Sequence, residues 1–124
     1  MQHEELIRRR LHSQRLSGSP AAGPGEAVRW MGAVQAQDYP ASLWGVSLRC
    51  GFVQDRRVEE AMTAGQIIRS WFPRGTLHFV PAADARWMRA LLAPRWLSRM
   101  AKMHARDFDI TEHVLGICRE AIVR

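Results

Sequence analysis

Two carboxamides set two residues apart, in Gln35-Ala36-Gln37-Asp38, are the residues of this chain whose type and spacing best suit chemistry. A carboxamide does not titrate in the accessible range, so neither glutamine can serve as an ordinary general base. What it can do is orient a water and turn a carbonyl dipole toward developing positive charge. Geometry sets the condition for joint action. On a helix, side chains two apart diverge by about 200°, whereas in extended backbone i and i+2 share a side. Pro40 biases Tyr39 away from helical geometry, so Gln35 to Pro40 is expected to be a connector, with both amides addressing one site. The competing reading is a helix-ending loop whose amides only satisfy backbone groups. Asp38 is read as a cap for the turn that follows, or else as a partner for one of the amides.

The other candidates are mostly cationic. Lys and Arg total 18 against 12 acidic residues, a formal net charge of +6, and Lys102 is the only lysine. A lysine-poor, Ala-, Gly- and Arg-rich chain reflects a GC-rich genome in part, but the positive excess remains and suits a polyanion such as nucleic acid. Arg69 and Arg74 flank the wing expected around the turn at Pro73-Arg74-Gly75 and are candidates for phosphate or minor-groove contact. Arg69 is equally read as paired with an acidic neighbour inside the fold. Arg95, Arg99, Lys102 and Arg106 recur at helical spacing and form a basic stripe, either a solvated face or a phosphate-contacting one. His78 alternates with Leu77 and Phe79 along a strand and is read as a structural hydrogen-bonder rather than a catalyst. The tryptophans are assigned to packing. Neither the five histidines nor Cys50 and Cys118 stand at metal-ligand spacing, so no metal and no cofactor are expected. The two cysteines are read as buried reduced thiols rather than a disulfide.

These residues must be carried by elements that the pattern outlines. Glu4 to Leu16 reads as a first helix with Ile7 and Leu11 apolar. Pro24 opens a second helix to about Val34, with Val28, Met31 and Val34 inward. Ser42 is a candidate cap for a third helix through Arg49, with Leu43, Val46 and Trp44 toward the core. Asp55 is a candidate cap for a fourth, ended by Gly65. The period then changes. Ile67–Phe72 and Thr76–Val80 are β-prone runs around a turn, and helices followed by a hairpin match the order of a winged helix. Ala82 to Arg106 is helical in pattern, but its apolar face rotates after Pro94, which predicts two helices or one sharply bent there. Thr111 to Arg124 carries Val114, Ile117, Cys118, Ala121 and Ile122 on one stripe and stops without a helix-ending signal, so more chain is expected to follow.

The fold expected is mainly α with a small β-hairpin, an α+β winged-helix (helix-turn-helix-like) domain over 1–80 with its wing near 67–80. A helical connector over 81–124 is expected to lead into a further C-terminal part. The 47% apolar content supports a folded core. No apolar run reaches the length of a membrane span, and the acidic, polar start has no signal-peptide pattern, so a cytoplasmic protein without membrane contact is expected.

Three stretches together resemble a known bacterial family. They are Val34-Gln35-Ala36-Gln37-Asp38-Tyr39-Pro40 with Ser42-Leu43-Trp44-Gly45, then Ile68-Arg69-Ser70-Trp71-Phe72-Pro73-Arg74-Gly75-Thr76-Leu77-His78-Phe79-Val80, and the helix start Ala82-Ala83-Asp84. The chain is similar over about residues 6–100 to the winged helix DNA-binding domain-containing proteins that include the AlkZ- and YcaQ-type DNA glycosylases. The resemblance implies tandem winged-helix domains around a DNA channel that the rest of the chain would complete, and excision of alkylated or crosslinked bases from duplex DNA. It implies a catalytic Gln-x-Gln motif in one branch, matched here by Gln35 and Gln37, and Gln-x-Asp in the other, for which Asp38 falls one place late. Hydrolysis of an N-glycosidic bond passes through an oxocarbenium-like sugar, which amide dipoles stabilise. An N-alkylated purine is already cationic and leaves readily, so a site without a strong base suits it. A non-catalytic winged-helix DNA-binding regulator is the alternative.

Overall fold

The structure is a computed structural model that describes residues 3–51, 54–72 and 75–123. Six helices and three strands follow one another as α1 (His3–Ser13), α2 (Pro24–Met31), β1 (Val34–Gln35), α3 (Tyr39–Arg49), α4 (Asp55–Thr63), β2 (Ile67–Trp71), β3 (Leu77–Pro81), α5 (Ala82–Phe108) and α6 (Glu112–Val123). The fold class is α+β and winged-helix-like, as the pattern predicts. The strands form one antiparallel sheet in the order β1-β3-β2, with Val34 opposite Phe79 and Arg69 opposite the same Phe79.

The core forms where helical and strand periods meet. Ala27 and Val28 of α2, Leu43 and Val46 of α3, Val58 and Ala61 of α4, and Ile67 and Phe79 of the sheet are buried in one cluster. Helices α2, α3 and α4 pack on one another and on the strands. Burial of these apolar side chains is the main drive for folding this unit.

Several boundaries differ from the sequence reading. Helix α2 ends at Met31, because Gly32 takes a positive φ of 72° at its C-cap, so Val34 belongs to a strand rather than a helix. Strand β1 is two residues long, too short to show a period. Helix α3 begins at Tyr39 with Pro40 in its first turn, where the missing N–H costs nothing. Its cap is Asp38, whose Oδ1 accepts from Ala41 N at 3.1 Å, not Ser42. Ser42 is buried and donates instead to the Tyr39 carbonyl at 2.7 Å. Trp44 does not turn inward: it is 59% exposed, one helical step off the Leu43–Val46 stripe. Helix α4 is preceded by Gln54 at the cap position, and Asp55 accepts from Ser47 Oγ at 3.1 Å.

Helix α1 buries none of its side chains, Ile7 and Leu11 included. Its C-terminal end is held by polar contacts, with Trp30 Nε1 donating to the Ser13 carbonyl at 2.9 Å and Arg49 donating to Gln14 Oε1 at 3.1 Å.

Helix α5 is a single element through Pro94, not two helices. A proline deletes one backbone hydrogen bond and crowds the carbonyl four residues back, and the bonds on either side carry the helix past it. The chain divides into two compact units, residues 1–88 and 89–124. In the second unit the α6 stripe is exposed, with Ile122 83% accessible. Cys118 is exposed as well, contrary to expectation, while Cys50 is buried and both thiols are free. Burial pushes the Cys50 thiol above its ordinary value. Among the described residues no helix is long and apolar enough to cross a membrane, and no cluster of three potential metal ligands occurs.

Candidate active site

The site begins where α2 has stopped and α3 has yet to start, in the five residues from Val34 to Asp38. Pairing of β1 with β3 holds Val34 and Gln35 extended, and the chain bends at Gln37 and Asp38. Gln35 and Gln37 are exposed and Ala36 between them is fully buried, the alternation that extended backbone produces. Both glutamines are thus accessible, one on each side of a buried residue.

Ala36 is the anchor. Its N–H donates to the Leu77 carbonyl at 2.8 Å, which continues the β1–β3 ladder by one rung. In a regular antiparallel pair its carbonyl would accept from Leu77 N in return. Instead the Ala36 carbonyl accepts two bonds from Arg69, from Nε at 3.1 Å and from a terminal nitrogen at 2.9 Å. The vacated Leu77 N–H donates to Gln37 Oε1 at 3.1 Å. Gln37 thus replaces a backbone carbonyl at the end of the ladder, and its side-chain amide is held with the NH₂ group left to donate. Gln35 has no side-chain partner among the described residues, so its amide is the one at liberty to meet a water or a substrate.

Arg69 is held from below. Its guanidinium lies over the Tyr39 ring, 5.1 Å from the centroid, a cation–π arrangement. Tyr39 in turn packs edge-on to Phe79 with ring centroids 6.2 Å apart, and its hydroxyl donates to Glu59 Oε1 at 3.2 Å. Burial and then the Glu59 carboxylate raise the Tyr39 pKa, so the phenol stays protonated at neutral pH. Arg69, taken from sequence as a candidate phosphate contact or a partner of an acidic residue, donates from two of its three nitrogens to a backbone carbonyl. It positions the glutamine segment. Composition and spacing carry no signal for this, because the acceptor is main chain 33 residues away.

Cross-strand neighbours share a face of the sheet, which sorts the remaining side chains. Val34, Phe79 and Arg69 are in one row and look toward the core, whereas Gln35, His78 and Ser70 form the next row on the opposite face. His78 is 7% exposed, and its Nδ1 bonds the Thr76 carbonyl at 2.9 Å, so the structural hydrogen bond read from the sequence is present.

The cationic candidates separate. Arg74 lies outside the described residues. Arg95, Arg99, Lys102 and Arg106 are all exposed on α5 within the second unit. Arg106 is neutralised by its neighbour, donating to Asp107 at 2.9 Å, which raises its own pKa and lowers that of Asp107. Among the described residues the other three have no acidic partner.

A family model for DNA glycosylase AlkZ-like proteins matches residues 28–122, which includes both glutamines, the hairpin and the two C-terminal helices. The chain belongs to the AlkZ-like DNA glycosylase family. The solved structure of the DNA glycosylase AlkZ from Streptomyces sahachiroi is similar to this AlkZ-like chain over 61% of its length, with 25% sequence identity and a TM-score of 0.57. The match covers 20% of that structure, so the chain corresponds to a small part of its solved AlkZ relative. No curated protein matches the chain.

Proposed function

We propose that this protein is a DNA-repair glycosylase that hydrolyses the N-glycosidic bond of an alkylated or crosslinked base in duplex DNA, with Gln35 and Gln37 as its catalytic pair. One observation carries the reading: both glutamines are exposed, one on each side of a residue that is buried and whose carbonyl is bonded by Arg69. Family membership supplies the class of reaction. The two amides divide the work. Gln35, unattached, orients the water and presents its carbonyl dipole to the oxocarbenium-like sugar, while Gln37, pinned through its oxygen, offers its NH₂ group to DNA or to that water. Arg95, Arg99 and Lys102 supply phosphate contacts, which position the protein without reading sequence. The remainder of a longer protein completes the DNA channel.

A binding-only regulator is the alternative, and helix α4 weighs against it. In a helix-turn-helix reader the second helix of the motif enters the major groove. Here that helix is α4, whose Asp55, Glu59 and Glu60 outnumber Arg56 and Arg57, and both arginines pair with Glu60, at 3.0 and 3.8 Å. Such a surface does not attract a phosphate-lined groove.

The test is release of N7-alkylated purine from duplex DNA by the full-length protein, wild type beside Gln35→Ala and Gln37→Ala. Loss of a preorganised dipole costs roughly 100-fold or more in rate, and each variant is expected to fall by at least that. Equal release by all three would sink the catalytic role, and affinity for undamaged DNA without any release would favour the regulator.

A further inference from the structure

Neither glutamine can take up a proton, yet water addition to the sugar must shed one. We propose that His78 accepts that proton from the water oriented by Gln35, an inference that rests on the glycosylase reading above. Gln35 and His78 are direct partners across β1 and β3. The bond from Ala36 N to the Leu77 carbonyl makes the adjacent position the hydrogen-bonded one. Gln35 and His78 therefore occupy a non-hydrogen-bonded position, where facing side chains come closest, with Cβ atoms about 4.5–5.5 Å apart.

The protonation of the ring follows from its one bond. A carbonyl only accepts, so Nδ1, which meets the Thr76 carbonyl at 2.9 Å, carries the hydrogen. In the neutral ring Nε2 then holds the lone pair and is an acceptor. Nε2 has no partner among the described residues and is left to meet the water that Gln35 orients. The other side chains on this face of the three strands, Gln35, Ile68, Ser70 and Val80, carry no charge. Arg69, the one ionisable residue elsewhere on the described strands, is in the row of the opposite face.

The step balances without a co-reactant other than water. The C1′–N bond breaks with its electron pair going to the base, and an N-alkylated purine cation thereby leaves neutral and needs no proton. The water oxygen bonds C1′, its proton passes to His78 Nε2, and the imidazolium returns the proton to solvent.

His78→Asn separates this role from a structural one, since the asparagine NH₂ can replace Nδ1–H toward the Thr76 carbonyl while nothing replaces Nε2. In the full-length protein the variant is expected to melt with the wild type, to release base roughly 100-fold more slowly or worse, and to lose the acidic limb of the pH–rate profile. If Asn lowers the melting temperature, His78→Gln is read in the same way. A folded variant with wild-type rate and profile overturns the proposal alone, leaving the glutamine pair in place. No release by wild type overturns the glycosylase reading and this inference with it.

Discussion

A single arginine decides the shape of the glutamine segment. Arg69 takes both hydrogen-bonding positions of the Ala36 carbonyl, and that displaces the Leu77 N–H onto Gln37. Replacing Arg69 by Met would keep much of the apolar stem over Tyr39 while leaving a carbonyl on a buried residue unpaired. Such a group costs about 1–3 kcal/mol, so urea denaturation of Arg69→Met is expected to show a loss of that size. A variant with wild-type stability but weaker DNA binding would return Arg69 to the phosphate-contact reading. At Gln37 the chemistry of the side chain can be separated from its place in the ladder. Gln37→Glu keeps an oxygen for the Leu77 N–H and loses the NH₂ group, so it is expected to fold normally and to release base slowly. The glutamine pair and its spacing were legible in the sequence. The clamp was not, because it joins a side chain to main-chain atoms that carry no residue-type signal.

At the scale of elements, the start of α3 positions the site from its far side. Asp38, one residue after Gln37, caps α3 through Ala41 N, so the geometry of the cap and that of the glutamine segment are linked. Removing an N-cap costs about 0.5–2 kcal/mol. Asp38→Ala is expected to lower the thermal midpoint accordingly and to reduce base release beyond what stability explains, with Asp38→Asn restoring both. Rescue of stability without rescue of activity would give Asp38 a part in the chemistry. The helices that sequence patterns outlined are present, and the differences fall where local rules compete. Pro40 argued against a helix at Tyr39, but a proline in the first turn is tolerated and Asp38 supplies the cap. Pro94 argued for two helices or a sharp bend, and α5 runs through it as one helix.

For the whole molecule, net charge of +6 is a weak guide until the charges are placed. Many arginines are paired with acids, as in Arg8 and Arg9 with Glu5 or Arg119 with Glu112. Among the described residues Arg95, Arg99 and Lys102 are not. Each phosphate contact contributes about 0.9 to the slope of log K against log salt. Replacing the three by Ala in the full-length protein is expected to weaken binding to any duplex sequence and to flatten that slope by roughly 2–3 units. Arg106→Ala should change it far less, because Asp107 already neutralises that side chain. An unchanged slope in the triple variant would mean that the stripe is a solvated face.

What the sequence determined by itself was local or periodic: the helix and strand runs, the hairpin, the paired glutamines and the excess of positive charge. Hydrophobic period and turn chemistry are written residue by residue, so they can be read without a fold. The tertiary structure alone decided the rest. It paired a two-residue strand with β3, put Gln35 opposite His78, bonded Arg69 to the Ala36 carbonyl, and left Arg95, Arg99 and Lys102 without an acidic partner among the described residues. Each of these depends on which distant backbone or side-chain groups come within about 3 Å, the range over which hydrogen bonds act, and residue order does not state those distances.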